Sequence, residues 1–235
     1  MKFKTSAFFI FLLILFNCEV RFEDDTRILI KGQTLDEQGS PIPDAEVSVF
    51  TRRRTGSFFV PGPQGTDEFL LGRNFSSNDG NFSVTSLFDK DDDFSIEIDA
   101  GDYYSKYVYR TTTVNYTPDD LIFDLDTVEL IRLGQVNYSI TRTSGDGNSI
   151  QFSFKFKDAI CVEVYDAGEL ALNEGFCFED RTETGSLNDN RPDVEQSFFA
   201  PLNSTIEFTY SINGEPEVTE TFILTDSTYA FNFNY

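Results

Sequence analysis

The chain reads as all-β, in two successive β-domains over residues 27–133 and 134–235. Three features predict this. Apolar and polar residues alternate with a period of two along most of the sequence, and the alternating runs are separated by short turn signals rich in Gly, Asp and Asn. Beyond the first 17 residues no stretch carries a helical period. With 235 residues in all, each half can bury a core of its own.

The N-terminal segment is the exception. Lys2 and Lys4 precede an apolar run, Ala7 to Phe16, that is short for a bilayer span and has the form of the apolar region of an export signal. Cys18 stands where this run meets acidic Glu19, Glu23, Asp24 and Asp25. Leu15-Phe16-Asn17-Cys18 resembles the end of a bacterial lipoprotein signal, with Leu three residues before the cysteine and Phe16 and Asn17 in place of the usual small residues. The resemblance implies a signal peptide over 1–17, a lipidated Cys18 and an acidic tether over 18–26. At about 0.8 kcal/mol per buried CH₂, two acyl chains suffice for stable anchoring. In lipoproteins of the Bacteroidota type, such an acidic cluster resembles the signal for display on the outer face of the outer membrane. An ordinary secretory signal with an incidental cysteine and an uncleaved anchor are the alternatives.

After the tether, Ile28 and Ile30 begin a first strand, Asp36-Glu37-Gln38-Gly39 reads as a turn, and Ala45, Val47 and Val49 mark a second strand. Gly39 permits a positive φ, while Pro41 and Pro43 hold the connection extended. Arg52-Arg53-Arg54 and Pro61-Gly62-Pro63-Gln64-Gly65 belong to what reads as a long loop, essentially 53–72 with Arg52 at its start, preferred as a mobile insertion over a binding loop. Asp79-Gly80 sits at a tight turn, with Phe82 and Val84 sharing a face beyond it. Phe94, Ile96 and Ile98 form the next strand, and Asp126 to Leu130 the closing one.

The stretches Ile30 to Val49, Phe75 to Val84 and Phe94 to Tyr103 resemble the carboxypeptidase regulatory-like domain, a transthyretin-like β-sandwich, over roughly residues 27–133. The resemblance implies a sandwich in which Asp79-Gly80 closes a hairpin. In metallocarboxypeptidases this domain accompanies a catalytic one, for which the sequence shows no counterpart.

From Gly134 the pattern restarts without a family resemblance. Ile150, Phe152, Phe154 and Phe156 alternate with Gln151, Ser153, Lys155 and Lys157 as a half-buried strand. Ile206, Phe208, Tyr210 and Ile212 form another, Asn213-Gly214 turns it, and Val218 to Leu224 return. Tyr229, Phe231, Phe233 and Tyr235 make a terminal aromatic strand, and 185–195 reads as an exposed loop.

Cys161 and Cys177 are the remaining cysteines. In an exported chain such a pair is more often a disulfide than a metal site or free thiols, although two buried reduced cysteines remain the alternative. In a hairpin that sets Cys161 opposite Cys177, Ile160 faces Phe178 and Val162 faces Phe176, so the apolar partners share one side and the sulfurs the other.

Composition limits function. With 40 Asp and Glu against 18 Lys and Arg, the net charge of −22 repels nucleic-acid phosphates and anionic headgroups, so contact with a membrane is expected through the lipid alone. The chain contains no His, which removes Ser/His/Asp triads, Cys/His pairs and His-bearing zinc sites; an enzyme is not expected, nor a cofactor. Asp89, Asp91 and Asp93 are spaced like the start of a calcium loop but lack its Gly and distant Glu, so a solvated turn is preferred. Tyr103, Tyr104, Tyr107 and Tyr109 could offer rings to a sugar, against the commoner role of packing and edge cover. Thr127 and Ser227 lie in short stretches that resemble the O-glycosylation acceptor of Bacteroidota.

Together these features predict a non-catalytic, lipid-anchored envelope protein, a binding or spacer module with a glycan, peptide or envelope-protein partner, beside a nutrient-uptake or adhesion system. The alternative is an assembly subunit whose aromatic C-terminal strand pairs with a partner's sheet edge.

Overall fold

The computed structural model describes residues 26–55, 65–88, 93–112 and 116–235. Cys18 and the tether through residue 25 lie outside them, as do Asp89 and Asp91. Among the described residues the regular elements are all strands. The first seven are β1 (Arg27–Asp36), β2 (Glu46–Thr55), β3 (Gly65–Phe75), β4 (Asn81–Leu87), β5 (Asp93–Asp99), β6 (Lys106–Thr112) and β7 (Ile122–Leu130). The remaining ten are β8 (Leu133–Thr141), β9 (Ile150–Lys157), β10 (Ile160–Asp166), β11 (Glu169–Leu170), β12 (Phe176–Cys177), β13 (Asp180–Leu187), β14 (Val194–Pro201), β15 (Thr205–Ile212), β16 (Val218–Ile223) and β17 (Thr228–Asn234).

The first sandwich sets the sheet β4-β1-β7, in which β1 runs antiparallel to β4 and parallel to β7, against a larger sheet that contains β3, β2, β5 and β6. Alternation decides which residues go inside. Ile30 of β1, Val47 and Val49 of β2, and Phe94, Ile96 and Ile98 of β5 are each at most 1% exposed, and the Phe94 ring stacks on Phe123 of β7 at 5.1 Å. The turn after β1 forms as the sequence predicts. Asp36 Oδ1 accepts hydrogen bonds from the amides of Gln38 (2.9 Å) and Ser40 (2.8 Å), and Gly39 takes φ +77°.

Two local expectations change. Gly80 adopts φ +77° in the expected tight turn, against the carbonyl of Thr34, but β3 and β4 on either side of it belong to opposite sheets, so the turn closes an arch rather than a hairpin. In the stretch 53–72 the described residues 53–55 and 65–72 form ribbon, with β2 and β3 paired from Glu46↔Phe75 to Thr55↔Gly65, and 56–64, with Pro61 to Gln64, lie outside the described residues. Arg52, which reads as a loop residue, bonds across this ribbon to Glu68 at 2.8 Å, a cross-strand ion pair that charge content alone does not reveal.

In the second sandwich the sheet β14-β8-β17 faces β13-β9-β15-β16, and β8 runs parallel to β17. Its core is built of phenylalanine: Phe154 and Phe208 are 1% and 0% exposed with ring centroids 4.8 Å apart, and Phe156 stacks on Phe198 at 4.1 Å. Asn213 and Gly214 both take positive φ between β15 and β16, the two-residue turn expected there. The predicted loop 185–195 shrinks at both ends, because β13 runs to Leu187, 2% exposed, and β14 begins at Val194.

The largest correction concerns the boundary at 133/134. β9 and β13 are antiparallel neighbours in the second sandwich, yet the chain between them leaves it. There β10 lies parallel to β6 of the first sandwich, from Ile160↔Lys106 to Tyr165↔Thr111, and β11 and β12 pair with the far edge of β10. The physical reason lies in the side chains. Both β6 and β10 carry large side chains on both faces: Tyr107 and Tyr109 on one side of β6 with Val108 on the other, and Cys161 and Tyr165 on one side of β10 with Val162 on the other. Strands of that kind belong inside a sheet. By joining, β10 covers what would otherwise be an edge at β6.

Candidate functional site

The three-stranded sheet ends at β7, whereas the facing sheet continues past β6 to β10. This difference in width leaves a cleft of about 640 Å³ at the side of the first sandwich. Tyr107 and Tyr109 are two residues apart on β6 and so face the cleft together, beside Cys161, Glu163 and Tyr165 of β10. The other wall is β7. Asp126 has φ +48° where the β1–β7 register slips, and this bulge leaves Asp126 and Thr127 exposed in succession at the rim.

Glu163 organises the floor. It accepts hydrogen bonds from the Tyr107 hydroxyl at 2.6 Å and the Tyr165 hydroxyl at 3.0 Å, while Tyr165 stacks on Tyr109 at 4.4 Å. Burial, reinforced by the Glu163 hydrogen bond, pushes the Tyr107 phenol far above its ordinary range; burial does the same for Tyr109. On the rim, the hydrogen bond from Lys31 at 2.6 Å holds the Asp124 carboxyl below its usual range. Tyr107 and Tyr165 are thus held as neutral hydrogen-bond donors to Glu163.

The other predicted site residues are dispersed. Tyr103 is 51% exposed and meets Phe199 edge-on at 5.9 Å, and Tyr104 forms a bridge with Arg132; both precede β6 in a turn, so the four tyrosines do not form one platform. Cys161 and Cys177 are disulfide-bonded in the predicted register, with Val162 opposite Phe176 and the Phe178 amide donating to the Ile160 carbonyl. Their hairpin, however, extends the first sandwich, and Cys161 packs against that core. Asp93 starts β5 opposite Arg52, and among the described residues no group of three His, Cys, Asp or Glu could hold a metal. Thr127 and Ser227 are both exposed. Glu163 and Tyr165 escape the sequence reading because only the docking of β10 brings them to Tyr107; the signal available was the two-sided apolar run of that strand.

No protein-family model and no curated protein matches the chain. Among solved structures, a 9R-lipoxygenase from Cyanothece PCC8801 is similar over 47% of this chain and 18% of its own, at 15% identity and a TM-score of 0.30. The Bacillus anthracis TIE protein aligns with 89% of this chain and 34% of its own, at 10% identity and a TM-score of 0.32. The shaft pilin SpaA from Lactobacillus rhamnosus GG, as a point mutant, aligns over 89% of this chain and 98% of its own, at 7% identity and a TM-score of 0.32. The chain thus spans only 18% and 34% of the length of the first two of these proteins.

Proposed function

We propose that the chain is a non-catalytic spacer and binding module, held at a bacterial outer membrane by a lipid on Cys18, with an N-terminal domain of the carboxypeptidase regulatory-like type. The observation that carries this reading is the return of β10 to β6. The chain passes between the sandwiches at β7–β8, β9–β10 and β12–β13, which ties two folding units into one support. The Ile131–Arg132 crossing is itself held: the Ile131 carbonyl accepts from the Ser105 amide at 2.8 Å, and Arg132 pairs with Glu37 at 2.7 Å. Such a support suits a protein that holds a binding face at a fixed distance from its anchor.

An assembly role is a second reading, favoured by Val218 and Ile223, which are 46% and 56% exposed on the edge strand β16. β17 is an edge strand of the sheet β14-β8-β17, so its second edge is open to the strand pairing this reading expects, while its aromatic side chains pack into the chain's own core, with Phe231 and Phe233 at 4.8 and 5.1 Å from Phe208.

Cell fractionation tests the anchor. Wild-type protein should partition with membranes and carry an acyl mass on its N-terminal peptide, and Cys18→Ala should lose both. Unchanged partitioning of Cys18→Ala would refute it.

A further inference from the structure

We infer a second ligand site on the outer face of the large sheet, for a single carboxylate carried on a hydroxylated ring, as in a uronic acid. The cleft, about 460 Å³, opens where Ser95 and Arg110 face away from Tyr107 and Tyr109, has Tyr165 at its border, and is lined by Arg52, Ser95, Arg110, Asp93, Asp166 and Glu174. That volume is in the range of small-molecule sites.

Two of its groups lack a partner. Ser95 is only 3% exposed and its Oγ has no hydrogen-bond partner; Arg110 Nε is likewise buried without one. The two residues are direct cross-strand neighbours on β5 and β6, so their side chains share a face of the sheet. Buried polar atoms are nearly always paired in folded proteins, and two unpaired donors in one cleft point to an acceptor supplied from outside. A carboxylate meets both demands. One oxygen accepts from Arg110 Nε–H and the other from the Ser95 hydroxyl, and its charge offsets that of Arg110. Arg52 beside them is already engaged, with Glu68 at 2.8 Å and Glu97 at 3.6 Å.

The rim narrows the choice. Asp93, Asp166 and Glu174 are exposed carboxylates that accept but do not donate hydrogen bonds. They repel a multiply charged anion such as phosphate and favour a singly charged ligand whose hydroxyls donate to them. A ring carrying one carboxylate and several hydroxyls satisfies floor and rim together.

The site stands apart from the proposed anchor, since binding is read on the purified full chain whether or not Cys18 carries a lipid. Titration of monomeric glucuronate, which carries one carboxylate on a hydroxylated ring, into the full chain, followed by calorimetry, should give a saturable isotherm, with neutral glucose oligomers, acetate and inorganic phosphate giving weaker ones. Arg110→Gln should weaken glucuronate binding by about 10- to 100-fold, the range for losing a charged hydrogen bond. Ser95→Ala should weaken it less and, having removed an unsatisfied hydroxyl, leave the melting temperature unchanged or raised; this provides a folded control if Arg110→Gln proves unstable. Equal binding of neutral glucose oligomers, equal binding of acetate, no binding at all, or full affinity in both variants would each overturn the assignment.

Discussion

Val162 of β10 lies directly beside Val108 of β6, and the two are 1% and 2% exposed, although they come from stretches that read as separate domains. The pair is where the returning segment is anchored to the first sandwich. Val162→Asp places an unpaired charge there and should lower stability by about 3–5 kcal/mol, the scale of an uncompensated buried charge. Urea unfolding should show the loss, and limited proteolysis should now cut between residues 167 and 175.

The disulfide holds the far side of the same segment. Cys161 and Cys177 are 16 residues apart, and in the chain-entropy model a loop of about that length contributes about 3 kcal/mol. The double change Cys161→Ser with Cys177→Ser should cost about that much in denaturant titration and leave the circular dichroism spectrum unchanged, because apolar register still aligns Val162 with Phe176. Alkylation of both thiols in native oxidised protein would contradict the pairing.

Alkaline pH should test the tyrosine cluster. Tyr107 has its folded pKa raised by burial and by its hydrogen bond to Glu163, whereas in the unfolded chain it titrates near its ordinary value of about 10. Below that value both states keep the proton and the contribution is complete. Above it the unfolded state alone loses the proton, so stability falls as pH rises. Unfolding midpoints measured between about pH 9 and 11.5 should decline, and Tyr107→Phe should flatten the slope. An equal slope in that variant would remove Tyr107 from the account.

In the second sandwich Phe208 is fully buried and touches rings from both layers, Phe154 at 4.8 Å and Phe231 at 4.8 Å. Phe208→Ala should cost about 3–5 kcal/mol, because rigid aromatic neighbours fill little of the space it leaves. Calorimetric melting is the measure, and a loss below 1 kcal/mol would mean that the two layers are not packed through this ring.

The clearest strands of the second sandwich were legible because each has one wet face. Ile150 to Phe156 alternate strictly with polar residues, and the alternation names both the element and its buried side. The cysteine register was legible from matching Val162 with Phe176 on one side and the two sulfurs on the other, and Val162 stands opposite Phe176 as expected. In the cleft, the i, i+2 spacing put Tyr107 and Tyr109 on one face, but their partners Glu163 and Tyr165 are more than fifty positions later.

Period-two patterning specifies which side of a strand is buried, not which strand lies next to it. That local information by itself determined the all-β class, the turns at Gly39, Gly80 and Gly214, and the pairing of Cys161 with Cys177. The sheet to which β10 belongs, the parallel pairings of β1 with β7 and β8 with β17, and the adjacency of Ser95 and Arg110 were decided only by the tertiary structure. Backbone hydrogen bonding is the same for every partner, so the choice among edges rests on which pairing buries both faces of a two-sided strand, and that area exists only once the sandwiches have formed.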